Sequence, residues 1–160
     1  RVRNGSYDEQ IKLFEVLGSS SVNTITFEGE NGDSSLAELH YQTSNPTNDY
    51  TLSLTGTDYI TFRKMGIRRT NGTGNLIIES GSHDVAVENC RLGNVTSPNT
   101  SCDSVLTFRY NNMQDFNLDL RHPDNGPRAG RITVENNYLS SLTLNNSRDV
   151  IVIIECRNSR

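Results

Sequence analysis

Ile60-Thr61-Phe62-Arg63-Lys64-Met65-Gly66-Ile67 has three later copies in the same chain. They are Val85-Ala86-Val87-Glu88-Asn89-Cys90-Arg91-Leu92, Leu106-Thr107-Phe108-Arg109-Tyr110-Asn111-Asn112-Met113 and Ile132-Thr133-Val134-Glu135-Asn136-Asn137-Tyr138-Leu139, with a frayed fifth starting at Val150. In each, an apolar triplet of strand character leads into a polar corner and a second short strand. The starts recur every ~20 to 26 residues, a period that marks stacked coils, in which each repeat buries its apolar face only against its neighbours.

From Tyr50 onward the beat is regular. Thr51-Leu52-Ser53-Leu54 predicts a strand, Thr55-Gly56-Thr57-Asp58 a turn, Tyr59 to Phe62 a strand, Arg63-Lys64 a corner and Gly66 to Arg69 a third strand. Asn71-Gly72-Thr73-Gly74 then turns into Asn75 to Glu79, where the cycle restarts. Strands this short exclude βαβ units, whose crossover needs a dozen or more residues. An antiparallel sandwich also gives short strands, but offers no reason for three-strand cassettes to repeat in phase. Upstream, Gly5-Ser6-Tyr7 reads as a turn and Glu9 to Leu13 as an alternating strand. A helix from Asp8 to Leu17, suggested by the spacing of Ile11, Phe14 and Leu17, is the rival. Thr24 to Phe27 and Leu36 to Tyr41 read as strands, and Ser44 to Asp49 as a loop.

Asn89, Asn136 and Asn137 fall just after the middle strand, where the chain must bend sharply. Asparagine tolerates left-handed backbone angles, and stacked asparagines can bond side chain to side chain in a ladder. Arg63-Lys64 interrupts that pattern in the first full coil.

The 160 residues are 33% hydrophobic and lack tryptophan, with a mean hydropathy of −0.57. Their apolar residues alternate in dense runs, which a disordered chain has no reason to do. The expectation is one domain over residues 1–160 with a thin core and a polar coat. A net charge of −4 argues against nucleic acid as the partner. No stretch approaches the roughly 18 apolar residues of a membrane span. The opening on Arg1-Val2-Arg3 and the stop at Ser159-Arg160 suggest a segment of a longer protein, whose remainder would stack on the coil ends. Cys90 falls at a core-facing repeat position and reads as a buried free thiol. Cys102 could pair with either Cys90 or Cys156, and the three show no metal-ligand spacing.

The chain resembles the right-handed parallel β-helix of pectin-lyase-like proteins, especially β-helical regions of large secreted or surface-attached bacterial proteins. Gly5-Ser6-Tyr7-Asp8-Glu9-Gln10-Ile11, Asn23-Thr24-Ile25-Thr26-Phe27, Gly29-Glu30-Asn31-Gly32-Asp33-Ser34-Ser35, Thr57-Asp58-Tyr59-Ile60-Thr61-Phe62 and Ser82-His83-Asp84-Val85-Ala86-Val87-Glu88-Asn89-Cys90 carry the likeness. It implies an all-β solenoid with three short strands per coil and an extracellular setting.

Enzymes of this likeness cut polysaccharides, and their machinery is not legible here. The hydrolases use clustered aspartates with a Gly-His-Gly and an Arg-x-Lys, all absent from this sequence. The likeness implies, for the lyases, Ca²⁺ held by several oxygens and an Arg or Lys base. Asp58, Glu79, Asp84 and Glu88 with Arg68, Arg69 and Arg91 could form such a site only if the coils bring them to one face. His83 beside Asp84 invites an acid–base reading, although Ser80 to Asp84 reads as a turn. His40 reads as an exposed face residue. The loops His122 to Gly130 and Gly93 to Ser101 are further places for ligand contact. The expectation is a non-catalytic module without a cofactor, serving as a rigid stalk or binding a polysaccharide or cell-surface glycan. The candidate binding residues are Arg68, Arg69, His83, Asp84, Arg91, Arg121 and His122. A fragment of a polysaccharide lyase or glycoside hydrolase is the alternative.

Overall fold

A computed structural model describes residues 1–42, 49–68, 76–79, 81–97, 105–119 and 131–145, together with the backbone of 151–156. Its strands are β1 (Gly5–Asp8), β2 (Ile11–Leu13), β3 (Ile25–Glu28), β4 (Ala37–His40), β5 (Leu52–Leu54), β6 (Asp58–Arg63), β7 (Gly66–Arg68), β8 (Leu76–Ile78), β9 (His83–Glu88), β10 (Arg91–Leu92), β11 (Val95–Ser97), β12 (Val105–Arg109), β13 (Asn112–Asp119), β14 (Arg131–Asn145) and β15 (Ile151–Cys156). The described residues contain no helix, so none spans a membrane as one.

Each strand pairs in parallel with the strand one coil away, and the sheet curls into three columns. The first column runs β3, β6, β9, β12, the start of β14, and β15. The second runs β1, β4, β7, β10, the start of β13 and the middle of β14. The third runs β2, β5, β8, β11, the end of β13 and the end of β14. This is a parallel β-helix with three strands per coil.

The template copies stack as their spacing requires: Ile60 pairs with Val85, Val85 with Leu106, and Leu106 with Ile132. Alternation sends these side chains, and Phe62, Val87, Phe108 and Val134 two residues on, into the interior. The second column adds Leu39, Ile67, Leu92 and Met113, and the third Leu52, Leu54, Leu76, Ile78, Phe116 and Leu118. Phe27 stacks on Phe62 with ring centroids 5.1 Å apart, and Phe108 meets Phe116 edge-on at 4.7 Å. Burying one such side chain contributes about 1.5–3 kcal/mol, so the core is a single rod along the axis.

The corner between the first and second columns has one backbone solution repeated in four coils. Lys64, Asn89, Tyr110 and Asn136 all lie in the left-handed region, with φ of 55°, 52°, 56° and 53°. The residue after each turns inward, giving the column Met65, Cys90, Asn111, Asn137, all buried. At the corner between the third and first columns, Gly56 (φ 62°) stacks on Gly81 (φ 79°). Thr57 and Ser82 are fully buried behind them and hydrogen-bond at 3.3 Å.

Several expectations need correction. Gly5 to Asp8 is a strand rather than a turn, because it pairs with Ala37 to His40; Ile11 to Leu13 is a strand, so the rival helix is excluded. The fifth copy does not start at Val150: Ile132 pairs with Val152, two residues later. The asparagine ladder bonds side chain to backbone, not side chain to side chain, and uses Asn111 and Asn137, while Asn89 and Asn136 supply the left-handed corner. Late coils also lack separate short strands, since β13 and β14 run through their corners. The Ser44 to Asp49 loop lies outside the described residues up to position 48.

Candidate functional site

His83 and Asp84 open strand β9 and are not turn residues, because His83 pairs with Asp58 of β6. Both strands kink at the next residue: Tyr59 has φ 56° and Asp84 φ 52°. A left-handed tyrosine costs more than a left-handed asparagine or aspartate. The kink gathers four side chains. His83 Nδ1 lies 2.8 Å from Asp84 Oδ2, and His83 Nε2 lies 3.4 Å from Asp58 Oδ2. The backbone N–H of His83 donates to Asp58 Oδ1 at 3.3 Å. Tyr59 sets its ring edge-on to the imidazole at 5.4 Å. Both ring nitrogens therefore face carboxylates, which orients the partly exposed imidazole.

The second column carries a different surface. Its outward row runs Glu38, Gly66, Arg91, Asn112 and Tyr138 in continuous register. Arg91, Asn112 and Tyr138 are exposed, and Tyr110 stands exposed at the adjoining corner. Tyr138 retains 58% and Tyr110 52% of its accessible surface. Tyr110 occupies the left-handed position that the coils on either side fill with Asn89 and Asn136. An aromatic there gains nothing from the backbone, and its ring is not buried.

Neighbouring charges behave differently from Arg91. Along the first column Glu28, Arg63, Glu88, Arg109 and Glu135 alternate in sign through the register. Arg63 reaches Glu28 at 3.1 Å and Arg109 reaches Glu135 at 2.7 Å. Lys64 adds a second cation to Glu28 at 2.9 Å, and Lys64 and Arg63 together hold that carboxyl below its usual range. In the second column Arg68 meets Glu38 at 3.5 Å. Arg91 has no ion pair among the described residues, and Tyr138 follows it two rungs along the same outward row.

Glu79, just beyond β8, ties three coils together. Thr55 Oγ1 donates to it at 2.7 Å, Ser53 Oγ at 3.0 Å and Lys12 Nζ at 3.2 Å. Burial works against its charge, but these hydrogen bonds and the Lys12 ammonium hold the carboxyl below its ordinary value. Cys90 is buried, and desolvation raises its thiol to about 11. It is a core residue, as expected.

The lyase constellation does not assemble. Asp58 and Asp84 bracket His83 in the first column, Glu88 sits in the charge row, and Glu79 is consumed in the third column. Arg68 and Arg91 lie on the second. No group of three or more His, Cys, Asp or Glu among the described residues could hold a metal ion, so these residues do not fit the Ca²⁺ implied for lyases. His40 is half-buried rather than exposed, bonded to Ser6 Oγ at 2.7 Å. Within Gly93 to Ser101, Val95 to Ser97 is strand β11 rather than loop. Arg69, Arg121, His122 and the His122 to Gly130 loop lie outside the described residues, as does Cys102.

Sequence reasoning missed Tyr59, Tyr110, Asn112 and Tyr138. The signal for Tyr110 was in the aligned copies, where a tyrosine replaces the corner asparagine. No family model, curated protein or solved structure matches the chain.

Proposed function

We propose that this chain is a non-catalytic β-helical module of a secreted or cell-surface protein, of the pectin-lyase-like kind found in bacteria, that binds a polysaccharide. The observation that carries the reading is the row Arg91–Asn112–Tyr138 with Tyr110 beside it. Sugar rings stack on exposed aromatic faces, and hydroxyls take hydrogen bonds from amide and guanidinium groups. A parallel β-helix repeats such groups at about 4.8 Å along its axis, which suits a long, repetitive ligand. Tyr110 is placed against local backbone preference, and such departures cluster at functional positions.

A polysaccharide lyase or hydrolase fragment is the second reading, and the Asp58–His83–Asp84 group is what favours it. A glycan array run beside assays for unsaturated uronides and for new reducing ends separates the two. Retention that falls in Arg91→Gln and Tyr138→Ala, with no product in either assay, is the expected result. Product formation abolished by His83→Ala would replace the binding reading with the enzymatic one.

A further inference from the structure

Where β13 and β14 pair, the second and third columns merge into one outward face. Resting on the polysaccharide reading above, we infer that this face selects an uncharged polymer over an acidic one. One coil earlier the two columns are separate, because Gly93 and Asn94 break the chain between β10 and β11. Strand β13 instead runs through the corner, and its register with β14 extends from Asn112↔Tyr138 to Asp119↔Asn145. Two outward rows therefore share one surface. Arg91, Asn112 and Tyr138 form one, and Thr96, Asn117 and Thr143 the other. Asn112, Gln114 and Asn117 are exposed although β13 has a paired rung on either side. They point sideways from the rod, so their exposure holds whether or not further rungs extend it.

The chemistry of this face is neutral. Asn112, Gln114 and Asn117 present amides, while Tyr138, Ser140 and Thr143 present hydroxyls, all exposed. Among the described residues no side-chain hydrogen bond or ion pair engages the three amides. An amide both donates and accepts, as a sugar hydroxyl does, so each can meet a polymer hydroxyl in either sense. Among the described side chains the face carries one cation, Arg91, and one carboxylate, Asp115, which accepts Ser141 Oγ at 2.6 Å. A polyuronate or sulfated chain brings an anion on most of its units, and each must shed water to dock. With Arg91 alone to receive them and Asp115 opposing them, most would be desolvated without a partner. An uncharged chain meets no such cost, and Arg91 then serves as a hydrogen-bond donor at one edge.

The test is retention on immobilised polysaccharides in two panels, one uncharged (glucans, mannans, arabinans) and one acidic (polygalacturonate, alginate, a sulfated galactan). Each is run at low salt and in about 1 M NaCl, where charges are screened beyond about 3 Å. The expected result is retention on an uncharged polymer that salt leaves unchanged. Gln114→Ala with Asn117→Ala should weaken it about tenfold at an unchanged urea midpoint. Salt-sensitive retention on the acidic panel alone would overturn the choice of an uncharged polymer and leave polysaccharide binding standing. Retention on neither panel would overturn polysaccharide binding itself. Neutral retention untouched by the double substitution would place the polymer elsewhere and overturn the merged face.

Discussion

Asn137 Oδ1 accepts the backbone N–H of Asn111 at 2.8 Å, while Asn137 Nδ2 donates to the carbonyl of Phe108 at 2.8 Å. Asn111 repeats the arrangement one coil earlier, accepting from the Cys90 N–H at 2.9 Å and donating to the Val87 carbonyl at 2.8 Å. At the left-handed corner the backbone leaves its ladder, and these N–H and C=O groups would otherwise be buried unpaired. The two amides replace the missing rungs and lock each coil to the next.

Asn111→Leu keeps a similar volume but strips partners from the Cys90 N–H and the Val87 carbonyl. Each stranded buried group costs about 1–3 kcal/mol, so a loss of about 2–6 kcal/mol is expected in urea unfolding. A loss below about 1 kcal/mol would show that the corner finds other partners. Asn89→Ala removes only left-handed tolerance and should cost less, about 1 kcal/mol.

Cys90 occupies the ladder position without an amide. Its thiol donates to the Glu88 carbonyl at 3.4 Å and is desolvated, which raises its pKa from 9.0 to about 11. A raised value in the folded state means that this group's contribution is complete below pH 9 and is lost as pH climbs towards 11. Stability should therefore decline over that interval in wild type and less in Cys90→Ala. Peptide mapping after thiol labelling at pH 8 should find Cys90 unmodified in native protein and modified in urea; native labelling would contradict its burial.

Much of this architecture was legible in the text of the chain, and the misses have physical causes. Ile60, Val85, Leu106 and Ile132 were placed correctly because an apolar triplet between polar corners has one register that hides both of its ends. The last rung is ambiguous in the text because Val150-Ile151-Val152-Ile153 is apolar at every position. A slip of two residues leaves every side chain on its proper face, so periodicity cannot detect it. Asn111 was missed because both Asn111 and Asn112 follow Tyr110, and nothing in the text says which turns inward. His83 looked like a turn residue because Gly81-Ser82 precedes it; pairing with Asp58 makes it a strand. For the surface, composition shows that tyrosines exist, but exposure depends on which neighbour stacks beneath them.

Glu79 is the acid-sensitive point of the first three coils. Its carboxyl is held below its ordinary value of 4.5 despite burial, so its contribution is present above pH 4.5 and is lost as pH falls through the lowered folded value. Thermal unfolding followed from pH 6 to pH 3 should fall less steeply in Glu79→Gln than in wild type, with Glu28 and Asp33, also lowered, carrying the remaining slope. At pH 7, Glu79→Gln should cost about 1–2 kcal/mol, because it weakens hydrogen bonds from Lys12, Thr55 and Ser53. Parallel acid profiles for the two proteins would remove Glu79 from the account.

Tyr110 offers the sharpest separation of stability from binding. It holds φ 56° at a corner where Asn89 and Asn136 hold 52° and 53°, and the residue is about half exposed. Tyr110→Asn therefore installs the residue that the neighbouring coils already use, while giving up little buried apolar surface. The backbone gain is about 0.5–1 kcal/mol, and a rise in urea midpoint is expected. If the ring contributes to a sugar platform with Tyr138 and Arg91, the same substitution weakens glycan retention severalfold. Tyr110→Phe should leave retention near wild type, because it keeps the aromatic face. A variant both more stable and equally retentive would show that Tyr110 serves no ligand, and the platform would then have to rest on Tyr138 and Arg91 alone.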